Sequence, residues 1–200
     1  MNESEFLRLP RALELIETDT KAIGFGMGSE RKAGAFLKTL AASKCWSKSS
    51  AQFLELGTGT GISTAWLLDG MDANSRLTTV DTNIACVEIA RRHLGHDRRV
   101  EFHVADGSVF LASIRGKQFD LIFADTWPGK FWDLEAALSL LNPGGFYVVD
   151  DLLPQLNWPE GHAPKVEALI HSLADRKDLT ICPMAWSSGL LVAVKSAGKA

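Results

Sequence analysis

The sequence has little of what marks several large classes of protein. Its three cysteines, Cys45, Cys86 and Cys182, are odd in number and widely spaced, which argues against a disulfide framework or a metal-binding knuckle. No apolar run approaches the roughly 18–20 residues of a membrane span. The opening segment MNESEFLRLP is too polar and acidic for a signal peptide. We therefore expect a cytoplasmic protein with reduced thiols and no membrane partner.

A strong charge of either sign is also missing. The formal net charge is −3, and the basic pairs Arg91–Arg92 and Arg98–Arg99 are typical of solvated surface charge. A mildly acidic chain gives no electrostatic reason to expect a nucleic-acid partner. The 200 residues, of which 46% are hydrophobic, suffice for the core of one ordinary domain.

Alternating patterns predict a single doubly wound α/β domain over residues 1–200, with an N-terminal helical segment at 1–50 and the core at 51–200. The first segment has predicted helices at Glu3–Asp19 and Glu30–Ser43, followed by a linker-like stretch, Ser43–Ser50. The predicted strands of the core are Gln52–Leu56, Arg76–Asp81, Val100–Val104, Phe119–Asp125, Gly145–Asp150, Leu179–Ala185 and Gly189–Val194. The predicted helices of the core are Gly61–Leu68, Ile84–Leu94, Val109–Ser113, Phe131–Leu141 and Lys165–Arg176. Together they indicate a seven-stranded, mostly parallel sheet that ends in an antiparallel hairpin.

The strongest local signal is the segment FLELGTGTGIST, in which an apolar strand runs through a glycine-rich turn into a helix. Gly57, Gly59 and Gly61 allow positive φ and a close approach of a ligand, and the helix start offers free N–H groups. A tight turn of purely structural importance is the alternative. A dinucleotide fingerprint would need a further glycine where Ile62 or Thr64 stands, and no Walker lysine follows. Glu55 would repel a pyrophosphate but suits the cationic amino-acid part of S-adenosylmethionine (SAM).

Carboxylates end the strands that follow. Asp81 lies about twenty residues past the glycines, where a carboxylate can accept hydrogen bonds from a ribose. Asp106 could accept from an adenine amino group or could cap the next helix. Asp125, Asp150 and Asp151 would face one cleft, where they repel one another unless a cation or protons intervene. Such oxygen ligands suit Mg²⁺; alternatively, Asp125 lines the SAM site while Asp150 or Asp151 caps or turns the loop.

The order of FLELGTGTGIST, TTVD, ADGS, FDLIFAD and NPGGFYVVDD resembles the class I SAM-dependent methyltransferases, which have a Rossmann-like core. Within them the chain looks like the small O-methyltransferases of the catechol and caffeoyl-CoA type, over about Gly24 to Val194. The resemblance implies SAM as cofactor, a small-molecule acceptor and a homodimer. It also implies SAM contacts at Met27, Glu55, Gly57, Ser63, Asp81 and Asp125.

The resemblance places the family's three metal ligands on Asp125, Asp150 and Asp151. Two departures from the family bear on this site: its third ligand is usually asparagine, and its lysine falls on Pro128, with Lys130 nearby but shifted. Together with the glycine-rich turn and the strand ends, the predicted SAM-binding set is Met27, Glu55, Gly57, Thr58, Gly59, Gly61, Ser63, Asp81, Thr82, Asp106, Gly107, Asp125 and Trp127.

The reaction expected from this reading is direct methyl transfer from SAM to a hydroxyl oxygen, aided by positioning and electrostatics. Removal of the hydroxyl proton needs a metal or a base. His162 is the predicted base, with Asp151 second and Asp125 in the same catalytic set; a structural or surface histidine is the alternative. The predicted acceptor pocket consists of Trp127, Lys130, Trp132 and Trp158. Two other functions stay open, a nicotinamide-dependent oxidoreductase and a non-catalytic SAM-binding module.

Overall fold

The computed structural model describes residues 7–156 and 158–197. After two N-terminal helices, strands and helices alternate along the chain until the last two strands, which follow one another directly. The helices are α1 (Leu13–Ala22), α2 (Arg31–Ser47), α3 (Ile62–Gly70), α4 (Ile84–Leu94), α5 (Gly107–Ser113), α6 (Leu134–Ser139) and α7 (His162–Ala174). The strands are β1 (Gln52–Leu56), β2 (Arg76–Asp81), β3 (Val100–Val104), β4 (Phe119–Ala124), β5 (Leu141–Val149), β6 (Leu179–Met184) and β7 (Leu190–Lys195).

Within the described residues, these strands form one seven-stranded sheet in the order β3-β2-β1-β4-β5-β7-β6. Neighbours from β3 to β5 are parallel, whereas β7 runs antiparallel to both β5 and β6. The central strands β1 and β4 are almost entirely buried, because a parallel sheet is covered on both faces. The predicted mostly parallel sheet with its closing hairpin is confirmed.

Helices cover the two faces of the sheet. Leu37 of α2 and Trp66 of α3 are fully buried on one face, and Leu111 of α5 and Leu173 of α7 are buried on the other. Each such side chain contributes roughly 1.5–3 kcal/mol when it leaves water. The helices after β1 and β4 lie on opposite faces, so a crevice opens at the carboxyl ends of these neighbouring strands, as at other switch points of α/β sheets.

The largest error of the sequence prediction concerns α1. The helix expected at Glu3–Asp19 begins only at Leu13; residues 7–9 are not helical, and residues 1–6 lie outside the described part. Pro10 explains this start, because proline lacks an N–H and its ring clashes with the preceding turn of a helix. At the other end of this segment α2 continues to Ser47, which shortens the expected linker.

Three further elements begin three or more residues away from their predicted start. Asp133 has a left-handed φ of 57°, so α6 begins after it and is shorter than the expected Phe131–Leu141. β5 begins at Leu141, before the expected Gly145. α7 begins three residues before the expected Lys165. Among the described helices, none has both the length and the apolar character that crossing a bilayer requires.

Candidate active site

A cleft of about 510 Å³ opens above the carboxyl ends of β1, β2 and β4. This size is ordinary for a small-molecule site. The residues that line it are Phe25, Met27, Gly28, Ser29, Gly57, Thr58, Gly59, Thr60, Ile62, Ser63, Asp81, Thr82, Asn83, Asp125, Thr126, Trp127, Lys130, Asp151, Trp158, Pro159 and His162. The cleft therefore joins most of the predicted SAM-binding residues to the predicted base and to most of the predicted acceptor pocket.

A larger hollow of about 650 Å³ lies elsewhere, between α1, α3 and α4. Two of its basic side chains are already paired, Arg92 with Asp19 and Arg99 with Asp97. None of the predicted site residues lines this hollow, and we assign it no role in the chemistry.

The glycine-rich turn has the conformation that its sequence predicts. Gly57 has φ +107°, and a Cβ there would lie 3.0 Å from the carbonyl oxygen of Asp125. Gly59 has φ +50°. Gly61 also has a positive φ, but it packs against Ala90 of α4 and does not line the cleft. The first two glycines thus bring the backbone to the cleft, while the third allows two helices to approach.

Asp81 is held in one orientation at the end of β2. Its Oδ2 accepts a hydrogen bond from the Gly59 N–H at 2.8 Å, and its Oδ1 accepts from the Asn83 N–H at 2.8 Å. Thr82 and Asn83 continue the lining beside it. The carboxylate retains free lone pairs, which fits the predicted contact with ribose hydroxyls.

Glu55 lies beneath the turn and does not line the cleft. It is 0% exposed, and its Oε2 accepts from the hydroxyls of Thr64 and Thr79, each at 2.6 Å. Burial raises the pKa of this carboxyl to about 7, against hydrogen bonds that lower it. Its Oε1 is buried with no hydrogen-bond partner within the described part of the chain. An unsatisfied acceptor below the turn fits a ligand that carries a positive charge, such as SAM.

The other half of the cleft is an aromatic box around His162. This side chain is 5% exposed, and its ring centroid lies 4.5 Å from that of Trp158, 5.0 Å from Phe131 and 6.1 Å from Trp127. Neither imidazole nitrogen has a hydrogen-bond partner in residues 7–156 and 158–197, and neither has Trp158 Nε1. Burial, followed by the charge of Lys130, lowers the pKa of His162. A neutral imidazole with free nitrogens can bind a ligand hydroxyl or accept its proton.

Four acidic residues line a smaller cavity of about 150 Å³ beside this box: Asp125, Asp150, Asp151 and Glu30. Asp125 Oδ2 accepts from the Ser29 hydroxyl at 3.1 Å, and Asp150 Oδ1 accepts from the Asp151 N–H at 2.7 Å and from the Ser188 hydroxyl. Burial, with the neighbouring like charges, raises the pKa of Asp125 well above its usual range. Burial also raises the pKa of Asp150 to about 6.

The predicted Mg²⁺ ligands do not form a metal centre. In the part of the chain that the structure describes, no group of three or more His, Cys, Asp or Glu side chains is arranged to hold a metal ion. The carboxylates of Asp125 and Asp150 accept from serine hydroxyls and the backbone instead. The ammonium of Lys130, 3% exposed, lies with them and donates to the Asp150 carbonyl oxygen at 2.5 Å. The residues present therefore do not fit a divalent cation.

Three other predicted site residues lie outside the cleft. Asp106 caps α5 by accepting from the Val109 N–H at 3.0 Å, which was the alternative interpretation from the sequence. Gly107 packs against Pro128. Trp132 is 43% exposed and stands edge-on to Trp127, with 5.2 Å between the ring centroids. None of these three residues lines the cleft, and their roles in binding the cofactor or the acceptor stay predictions.

Sequence reasoning missed several residues of the site. Phe25, Asn83 and Thr126 line the cleft, and Ser29 both lines it and contacts Asp125. Ser29 lies two residues after Met27, which the family resemblance places in the SAM site, so a signal was present. Ser188 is 38 residues from Asp150 in sequence, and no local pattern links the two.

Comparisons with known proteins agree with this architecture. Residues 54–152 match the sequence profile of a family described as a methyltransferase domain. The catechol O-methyltransferase of Mycobacterium tuberculosis is 33% identical over 104 residues, which are 50% of this chain and 47% of that protein. The chain spans less than two thirds of the length of the mycobacterial relatives it matches, 59% for one from Mycobacterium avium.

Solved structures match along nearly the whole chain. The O-methyltransferase TomG of Streptomyces achromogenes, in complex with SAM, has a TM-score of 0.83 at 23% identity and covers 97% of this chain and 93% of its own. An O-methyltransferase of Bacillus cereus, in complex with S-adenosylhomocysteine (SAH), has a TM-score of 0.82 at 21% identity and covers 96% and 93%. Residues 54–152 are thus similar to a methyltransferase domain, and the chain shares the fold of these two O-methyltransferases, in agreement with the family resemblance of the sequence.

Proposed function

We propose that this protein is an enzyme that transfers the methyl group of SAM to the hydroxyl oxygen of a small, planar acceptor. One observation carries the proposal: His162, whose two ring nitrogens are buried without a hydrogen-bond partner among the described residues, lines the same cleft as the glycine-rich turn and Asp81. The cleft therefore has two continuous parts: a cofactor half around the glycine-rich turn and Asp81, and an acceptor half around His162. A binding module for SAM alone would not need an aromatic box with an unsatisfied base.

The cofactor half supports an adenosine ligand with a cationic tail. Asp81 would accept from the ribose hydroxyls, and Gly57 allows the ligand to approach the backbone. Ser63 lines the cleft above the buried Glu55, where the amino-acid end of SAM would lie. A pyrophosphate has no favourable partner beside this carboxylate, which argues against a nicotinamide cofactor.

The acceptor half supports a planar substrate. Trp127 and Trp158 present aromatic surface to the cleft, and aromatic pairs favour stacked or edge-on contacts with a ring. When bound, SAM supplies a methyl group on a positively charged sulfur. An oxygen nucleophile attacks the methyl carbon directly, and the sulfur is the leaving group. As the O–C bond forms and the S–C bond breaks, the hydroxyl proton passes to a ring nitrogen of His162. Holding the two reactants in line accounts for most of the expected acceleration.

The first test is thermal unfolding of the protein with SAH and, separately, with NAD⁺. A ligand at about 100 times its dissociation constant adds roughly 2.7 kcal/mol, which for a domain of this size raises Tm by roughly 5–10 °C. We expect the shift with SAH only. A shift with NAD⁺ only would contradict the proposal in favour of an oxidoreductase. SAH binding without methyl transfer to any of a panel of phenols and catechols would favour a non-catalytic module.

The family resemblance further suggests a homodimer in the cytoplasm. Light scattering on the purified full chain tests the dimer, which we expect at twice the chain mass of 21.8 kDa. A mass equal to one chain would contradict it.

A further inference from the structure

Acidic side chains outnumber basic ones beside the cleft. Asp125, Asp150 and Asp151 contribute three carboxyl groups, and the Lys130 ammonium lies beside them, where it donates to the Asp150 carbonyl oxygen. Lys130 and Asp150 are 3% and 2% exposed. Buried like charges repel, and a buried charge is costly unless an opposite charge or hydrogen bonds compensate it. Protons or a cation can offset such repulsion, and the chain places a cation, Lys130, in the lining of the same cleft.

The position of Lys130 is set by its backbone. Tyr147 Oη donates to the Gly129 carbonyl oxygen at 2.5 Å, and the Gly129 N–H donates to the Trp132 carbonyl oxygen at 2.7 Å. Gly129 has φ +81°, and a Cβ there would lie 2.3 Å from a methyl carbon of Leu56. These contacts hold the loop that carries Lys130 against β1 and β5. The fold therefore fixes the position of the ammonium beside the carboxyl groups.

Lys130 also has donors to spare. An ammonium has three N–H groups, and among the described residues only the Asp150 carbonyl oxygen accepts from it. The side chain lines the cleft together with His162 and Asp125. Its free donors are thus available to an oxygen that enters between the cofactor half and the aromatic box.

We propose that Lys130 takes the place of a divalent metal in this site: it offsets the three carboxyl groups and donates a hydrogen bond to the acceptor oxygen, so that the site needs no metal. The inference rests on the proposed function. Burial lowers the pKa of Lys130, against the neighbouring carboxyl groups, which raise it. In this role the ammonium donates hydrogen bonds only, and no bond to it forms or breaks. The hydroxyl proton leaves to His162, while the Lys130 charge stabilises the oxygen as it becomes a nucleophile.

The test measures Mn²⁺ binding to the metal-stripped, SAH-bound protein. Binding is monitored through the electron paramagnetic resonance signal of free Mn²⁺. We expect no binding to the wild-type protein at millimolar Mn²⁺. Lys130→Gln keeps a donor for the Asp150 carbonyl oxygen but removes the charge, and we expect it to bind Mn²⁺ at least roughly tenfold more tightly, because the carboxyl groups then lack their cation. Lys195→Gln is the matched control: Lys195 also donates to buried carbonyl groups, outside the cleft, and should behave as wild type.

Two results would overturn the inference. One is Mn²⁺ binding to the wild-type protein that Asp150→Asn abolishes; the other is a folded Lys130→Gln protein that still binds no Mn²⁺. Should Lys130→Gln fail to fold, the wild-type measurement decides alone, since bound Mn²⁺ contradicts the inference and its absence in the SAH complex supports it. SAH binding in metal-free buffer is measured separately, and its failure would refute the proposed function rather than the role of Lys130.

Discussion

The backbone N–H of Gly59 donates a hydrogen bond to Oδ2 of Asp81 at 2.8 Å, which ties the turn after β1 to the end of β2. The second carboxylate oxygen accepts from the Asn83 N–H at 2.8 Å. Both oxygens are therefore oriented before any ligand arrives. Because a preorganised carboxylate loses little freedom on binding, this pair should dominate recognition of the ribose.

We predict that Asp81→Ala weakens SAH binding by roughly 10–100-fold, since a hydrogen bond to a charged group contributes about 1.5–3 kcal/mol. Isothermal titration calorimetry measures it. Asp106→Ala is the matched control, because Asp106 also follows a parallel strand but caps α5. Its loss should cost about 1 kcal/mol of stability and weaken SAH binding less than the loss of Asp81, because Asp106 does not line the cleft. Equal losses of affinity in the two variants would contradict this assignment.

A second prediction concerns the close approach of Gly57 to Asp125. We expect Gly57→Ala to lower both the stability, by about 1–3 kcal/mol, and the SAH affinity. Gly116→Ala is the control, because Gly116 also has a positive φ, +87°, but nothing lies within 4 Å of its added Cβ. It should show the cost of backbone strain alone, in urea unfolding, with unchanged SAH affinity. If the two variants have the same stability and the same SAH affinity, the close approach of Gly57 to Asp125 does not contribute to SAH binding.

The cofactor half was predictable from sequence because its determinants are local. β1, β2 and β3 have the predicted bounds, since each is a short apolar run with a turn signal behind it, and the strand ends then place Asp81 at the cleft. The acidic cluster was predicted as a group, but the burial of Lys130 beside it was not. The burial of Lys130 depends on contacts from Tyr147, which follows 17 residues later, and from Leu56 across the sheet.

The same reasoning explains the errors of the fold prediction. α6 is shorter than its apolar pattern predicts because Asp133 adopts a left-handed conformation, which periodicity cannot reveal. Trp132, expected in the acceptor pocket from its position after β4, is 43% exposed, and its contact with the acceptor stays a prediction. Burial of an aromatic side chain is decided by tertiary packing, and sequence spacing alone does not determine it.

Glu55 gives a third prediction, on stability as a function of pH. Its pKa is raised from 4.5 to about 7 in the folded protein, so the folded state binds more protons than the unfolded state between these values. The contribution of Glu55 is therefore fully present below about pH 4.5 and is lost as the pH rises through 7. Glu55→Gln should remove this slope and stabilise the ligand-free protein near pH 8 by on the order of 3 kcal/mol. Urea unfolding at several pH values measures it; an unchanged slope in the variant would assign the pH dependence elsewhere.

A fourth prediction compares the contributions of Trp158 and Trp132 to acceptor binding. Trp158→Leu should raise KM for the best acceptor of a phenol and catechol panel by roughly tenfold, because it removes one wall of the box, about 1–1.5 kcal/mol of aromatic contact. SAH affinity should not change. Trp132→Leu is the control, since Trp132 lies outside the lining, and should leave KM as it is. Comparable KM values for both variants would refute the assignment of the box to the acceptor.

The last prediction tests His162 as the base. Burial and the charge of Lys130 hold its pKa below the usual value near 6.5, so the imidazole is neutral at physiological pH and can accept a proton. The rate of methyl transfer should therefore rise with pH up to that lowered pKa and stay level above it. His162→Gln should lower kcat by roughly 10²–10⁴-fold, remove this acidic limb and leave SAH affinity intact. His171→Gln is the control on the same helix, because His171 is exposed and contacts only the Glu167 carbonyl oxygen among the described residues. If the His162 variant keeps the wild-type pH profile, the proton leaves by another route, and the aromatic box acts in binding alone.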